Sequence, residues 1–96
     1  MEEVKERKLV EVGRVTHYYS RIGVAVVELK APLSVGDKIL IRGSTTNFEQ
    51  TVDSMQIHHK NIERAEAGQA IGLKVVDRVR PKDIVYKIIE LSLIHI

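Results

Sequence analysis

From Leu9 onward the chain alternates short apolar runs with polar turn residues. The clearest run is Ile22–Leu29, where Ala25, Val27 and Leu29 alternate with Val24, Val26 and Glu28. Successive side chains of a strand point to opposite faces, so Ala25, Val27 and Leu29 are expected to face the core; Glu28 places the other set outside. Leu9–Tyr19 carries Val10, Val12 and Val15 around Gly13, and an interior glycine in such a run predicts a bulge or a close backbone approach. Ser20–Arg21 reads as a turn. Lys38–Arg42 sets Ile39 and Ile41 against Lys38, Leu40 and Arg42. In Phe48–Ile57 the inward set switches from Val52 to Met55, which predicts a bulge or strong bend. Ala70–Val76 and Ile84–Ile89 complete the strands. Between them lie a loop at Ala31–Asp37, a polar loop at Gly43–Asn47, a polar connection at His58–Gln69 and a turn at Val79–Asp83 containing Pro81.

Six or so short strands without a convincing helix predict an all-β fold. The architecture expected is a small closed six- or seven-stranded antiparallel β-barrel, with a stacked sandwich as the other arrangement such strands allow. Closure would also remove free sheet edges. Residues 1–8 read as a polar lead-in, frayed or briefly helical, residues 9–89 as the β domain and residues 90–96 as an apolar tail. The tail has three open fates: joining the protein's own sheet, pairing with another chain, or lying unordered.

Composition supports strands: 13 Val and 11 Ile outnumber 7 Leu and 5 Ala in 96 residues. The absence of Cys excludes disulfides, thiolate catalysis and Cys-ligated metal centres. The N-terminus, MEEVKERK, has no apolar segment behind it, and no run approaches the roughly 18 apolar residues of a membrane helix. A cytoplasmic protein without membrane contact is the expectation. The net charge of +2 permits an RNA contact without arguing for one.

Chemistry is sparse. No phosphate-binding loop and no dinucleotide fingerprint occurs, so no nucleotide and no cofactor are expected. The histidines are His17, His58, His59 and His95, and neighbours in a strand cannot easily share a metal, so no metal site is expected. The serines lack the flanking pattern of an activated nucleophile, and the aspartates sit mostly beside turns. No catalytic residue can be named, and the chain is expected not to be an enzyme. What remains is a cluster of Arg14, His17, Tyr18, Tyr19 and Arg21, with Arg42 and Lys60 on polar connections nearby. Arg and Lys pair with phosphates, and exposed Tyr or His rings stack on unpaired bases, so these seven form a candidate RNA or partner surface. The plainer reading half-buries a tyrosine and leaves the charges facing water.

The segments also have an order. Val12–Gly13–Arg14–Val15 opens a strand; Leu33–Ile41, containing Val35–Gly36–Asp37, follows the next one. Val52–Ile57 comes later, and Ala65–Lys74 precedes Asp83–Tyr86. This order resembles domain 2 of translational GTPases, the elongation-factor-Tu-like β-barrel, over residues 9–89. It looks most like the small stand-alone archaeal proteins called translation elongation factor-like; the same module also ends some U32-type peptidases. In this frame Gly36 and Asp37 make a tight strand entry, Gly68 lets the chain re-enter the barrel and Gly72 allows close strand approach. The resemblance implies a non-catalytic accessory module that binds RNA, tRNA or the ribosome, without GTPase activity because the GTPase domain is lacking. The alternative is a protein-interaction or homodimerisation module with a separately encoded partner, which the apolar tail favours.

Overall fold

The computed structural model describes the backbone of residues 2–95 and the side chains of residues 7–90. Ten strands form: β1 (Glu2–Tyr19), β2 (Val24–Leu29), β3 (Leu33–Ser34), β4 (Lys38–Arg42), β5 (Asn47–Thr51), β6 (Met55–Ile57), β7 (Lys60–Ile62), β8 (Arg64–Ala65), β9 (Ala70–Lys74) and β10 (Ile84–His95).

The expected closed barrel of six or seven strands is corrected. Eight strands make one open antiparallel sheet in the order β5-β4-β10-β1-β2-β9-β6-β7, and β3 with β8 forms a separate two-stranded clip. The end strands β5 and β7 do not pair. β5 pairs only with β4 and the three-residue β7 only with β6, so no ladder closes the sheet. A single side chain spans part of the gap instead. The Gln50 carboxamide donates from Nε2 to the Lys74 carbonyl at 2.8 Å and accepts from the Val76 N–H at 2.9 Å. It donates and accepts as a peptide unit would, linking β5 to the end of β9.

The long strands β1 and β10 pair from Glu2↔His95 to Arg14↔Ile84. Residues 2–8 of the expected 1–8 lead-in therefore continue β1, and most of the apolar tail joins the protein's own sheet. Two register shifts interrupt β1, one between Glu11 and Gly13 and one between Val15 and His17. At the first, a Cβ on Gly13 would stand 2.7 Å from the Glu28 carbonyl oxygen, so glycine permits the close approach. At the second, Thr16 is the extra residue. It offsets the alternation, so that Val15 and Tyr18 face inward while His17 and Tyr19 face outward.

The core gathers Val12 and Val15 of β1, Ala25, Val27 and Leu29 of β2, Ile39 and Ile41 of β4, Ile71 and Leu73 of β9, and Val85 of β10. Val52 and Met55 are both buried on either side of the bend between β5 and β6. Burial of these aliphatic side chains, at about 25 cal/mol per Å² of apolar surface, is the main stabilising term in a chain without disulfides.

Candidate functional site

On the outer face of β2, β9 and β6 lies a groove of about 510 Å³. Its floor is a consequence of strand alternation in β9. Ile71 and Leu73 turn into the core, which leaves Ala70 and Gly72 to face out with almost no side chain. One wall is made by Val24 and Val26, with Tyr19 and Ile22 above them; the other is made by Gln56, Ile57 and the His58–His59 turn. Tyr19 is 50% and Ile22 58% exposed, an unusual amount of apolar surface for side chains this large. A Cβ at Gly72 would press on Val24 Cγ1 at 3.3 Å, so glycine lets the Val24 wall sit close over the β9 backbone.

Two local devices place the walls. The offset at Thr16 brings His17 and Tyr19 outward, where their rings meet with centroids 4.4 Å apart at a 57° tilt. The turn of Ser20–Gly23 then folds back on Tyr19: the N–H groups of Ile22 and Gly23 both donate to its carbonyl, at 3.3 and 2.9 Å. Gly23 supplies the left-handed backbone, with φ of 65°. On the far side, His58 and His59 have φ of 51° and 64° between the paired residues Ile57 and Lys60. Two positive φ values in a two-residue loop are the signature of a type I′ hairpin turn, normally filled by Asn-Gly. Histidine carries a Cβ into that region, at a cost of about 1–3 kcal/mol per residue.

The groove's lining carries no lysine or arginine, and its charged neighbours stand at its two ends. No carboxylate belongs to its lining. At one end Lys74 lies in register with Val24, its Nζ donating to the Ile22 carbonyl at 2.7 Å, and exposed Arg21 sits in the adjoining turn. At the other end Glu28 pairs in register with Ala70 on one side and Arg14 on the other.

The seven residues singled out from sequence do not form one surface. His17 and Tyr19 come together at the groove, and Arg21 follows them in the turn. Tyr18 turns inward and packs on the core. Arg14 and Arg42 lie on the two strands flanking Ile84, each in register with it. Lys60 begins β7 beyond the histidine turn. Of the turn residues, Gly36 and Gly68 have φ of 96° and 90°; Asp37 accepts the Ser34 N–H at 2.9 Å and pairs with Lys87 at 3.4 Å; Gly72 lies on the groove floor. Sequence reasoning passed over Ile22, Val24, Val26, Ile57 and Ala70. The available sign was two valines on the face shared with Glu28, an outward apolar pair with nothing to cover it. Among the described residues no group of three or more His, Cys, Asp or Glu is placed to hold a metal.

Comparison with known proteins places this geometry. Residues 7–85 match the family model described as the peptidase family U32 C-terminal domain. An uncharacterized protease of Methanocaldococcus jannaschii is 47% identical over 83 residues, covering 85% of this chain and 20% of that protein. A collagenase of Porphyromonas gingivalis is 37% identical over 83 residues, covering 84% of this chain and again 20% of the relative. The chain thus spans about a fifth of the length of the curated relatives it matches. The crystal structure of the C-terminal domain of a Geobacillus thermoleovorans U32 peptidase superposes with a TM-score of 0.76 at 22% identity, covering 81% of this chain and 91% of that one.

These matches correct the assignment to translation elongation factor-like proteins and the elongation-factor-Tu-like barrel. With it fall the accessory role on RNA, tRNA or the ribosome, and the partners that role implied. The expectation of a chain outside enzymology is corrected as well, because the relatives are proteases. Short turn-and-strand segments such as Val35–Gly36–Asp37 report backbone geometry, which two families with different chemistry can share.

Proposed function

The chain belongs to the family of peptidase U32 C-terminal domains, and from that premise we propose that it serves proteolysis as the module that holds polypeptide substrate. The groove over β2, β9 and β6 is the observation that carries this reading. An extended polypeptide needs a concave apolar track with a few polar groups at its margins. The bare Ala70–Gly72 floor gives room for an inserted side chain, Val24, Val26 and Ile57 give it apolar walls, and Tyr19 is a large amphipathic anchor of the kind enriched in binding sites.

Fluorescence anisotropy with labelled gelatin peptides tests the proposal, since gelatin is the denatured form of a collagenase substrate. The expected result is saturable binding with a Kd below roughly 1 mM, weakened about tenfold or more by Gly72→Val, which grows a side chain from the floor. A circular-dichroism melt of the variant checks that the fold is kept. Absence of saturable peptide binding, or binding indifferent to Gly72→Val in a folded variant, rejects the groove.

A further inference from the structure

We propose that the groove selects extended segments in which a bulky apolar side chain stands beside a carboxylate, the apolar group lying on the Ala70–Gly72 floor and the carboxylate meeting Lys74 and Arg21. This rests on the substrate-holding reading and adds a specificity to it. Three observations combine. The floor carries only Ala70 and Gly72 between walls built by Val24, Val26 and Ile57, and the groove's volume of about 510 Å³ is enough for one large apolar residue. No carboxylate lines the groove, so a negative occupant meets no like charge inside it. Its Lys74 end is cationic and uncommitted.

The last point has atomic detail. Lys74 Nζ spends one N–H on the Ile22 carbonyl at 2.7 Å, and an ammonium has three donors. That bond holds the amine beside Ile22, at the end of the groove, and leaves two donors for a ligand. Arg21 is exposed in the same turn, and among the described residues neither cation lies within ion-pair distance of a carboxylate. By contrast Lys30, Lys38 and Lys87 are each engaged by an acid on a neighbouring element. At the opposite end Glu28 has Arg14 beside it in register, so the local field there is compensated. A basic segment would find no partner at the Lys74 end and would meet two like charges.

Three labelled peptides of equal length, differing only in a Glu, Gln or Lys beside one Leu, test the inference by anisotropy with the whole chain. At low salt, about 50 mM, the Glu peptide is expected to bind about threefold to tenfold tighter than the Gln peptide, with the Lys peptide weakest. The preference should shrink at about 0.5 M salt, where exposed charges are screened. Arg21→Gln and Lys74→Gln should each reduce the ratio of Glu-peptide to Gln-peptide affinity measured within the same variant; Arg21 makes no described contact that the fold needs. Equal binding of all three peptides, or a preference for Lys, overturns the charge selection and leaves the groove standing. Failure of all three to bind overturns the groove reading as well.

Discussion

Asp83 is 4% exposed, and its carboxylate occupies the space in which residue 43 would carry a Cβ. An ideal Cβ on Gly43 would overlap Asp83 Oδ1, so no side chain fits without moving that carboxylate. The other oxygen, Oδ2, accepts the Arg80 N–H at 2.9 Å and closes the Pro81–Lys82 turn, where Lys82 has φ of 79°. Gly43→Ala is therefore expected to cost about 1–3 kcal/mol, read as a lower midpoint in urea. A change within about 0.5 kcal/mol would mean that the carboxylate swings aside freely. Sequence marks residue 43 as a turn glycine, but the partner that makes it obligatory lies forty positions away, and spacing carries no trace of it. The same holds for Thr16: one extra residue in β1 decides that Tyr18 packs on the core while His17 and Tyr19 reach the groove.

The β6–β7 hairpin sets stability against placement. His58 and His59 occupy the two left-handed positions that Asn and Gly fill more easily. Replacing them by Asn and Gly is expected to raise stability by about 1–3 kcal/mol, measured by thermal or urea unfolding, while removing two groove-lining imidazole rings. An unchanged or lower midpoint would show that the histidines make compensating contacts. Gln50 on β5 has the opposite character. Its carboxamide bonds to Lys74 and Val76 are what ties this end strand to the far side of the sheet, and Gln50→Ala is expected to cost about 1–2 kcal/mol by the same measurement; partial exposure keeps the figure low. No loss would place water in the carboxamide's role. Much of this level is legible in sequence. The alternation of Ala25, Val27 and Leu29 gives β2 its inward face, and the switch from Val52 to Met55 marks the bend. The clip of β3 and β8 is not legible, because two-residue strands such as Arg64–Ala65 have no period to read.

At the scale of the molecule, the long β1–β10 ladder and the sheet built on its inner half give extents of 49 × 28 × 20 Å. β2 pairs with β1 only from Gly13 to Tyr19, and β4 pairs with β10 only from Ile84 to Lys87, so the outer part of the ladder is a two-stranded ribbon. In the sequence, residues 1–8 read as a polar lead-in, and joining the sheet is one of three fates open to residues 90–96. Charged residues such as Glu2, Glu3 and Lys5 have weak strand preference, and only their register opposite residues 92–95 gives them one. The groove lies on the other side of β1, across β2, β9 and β6. The antiparallel register Glu2↔His95 also has a mechanical consequence. Both ends of the described chain leave from one end of the ribbon, and the bonds between its strands run across it. Tension applied to those two ends would load one rung at a time, opening the ribbon like a zipper, rather than shearing many rungs together. The ribbon would part under small force while the inner sheet and its groove stayed whole.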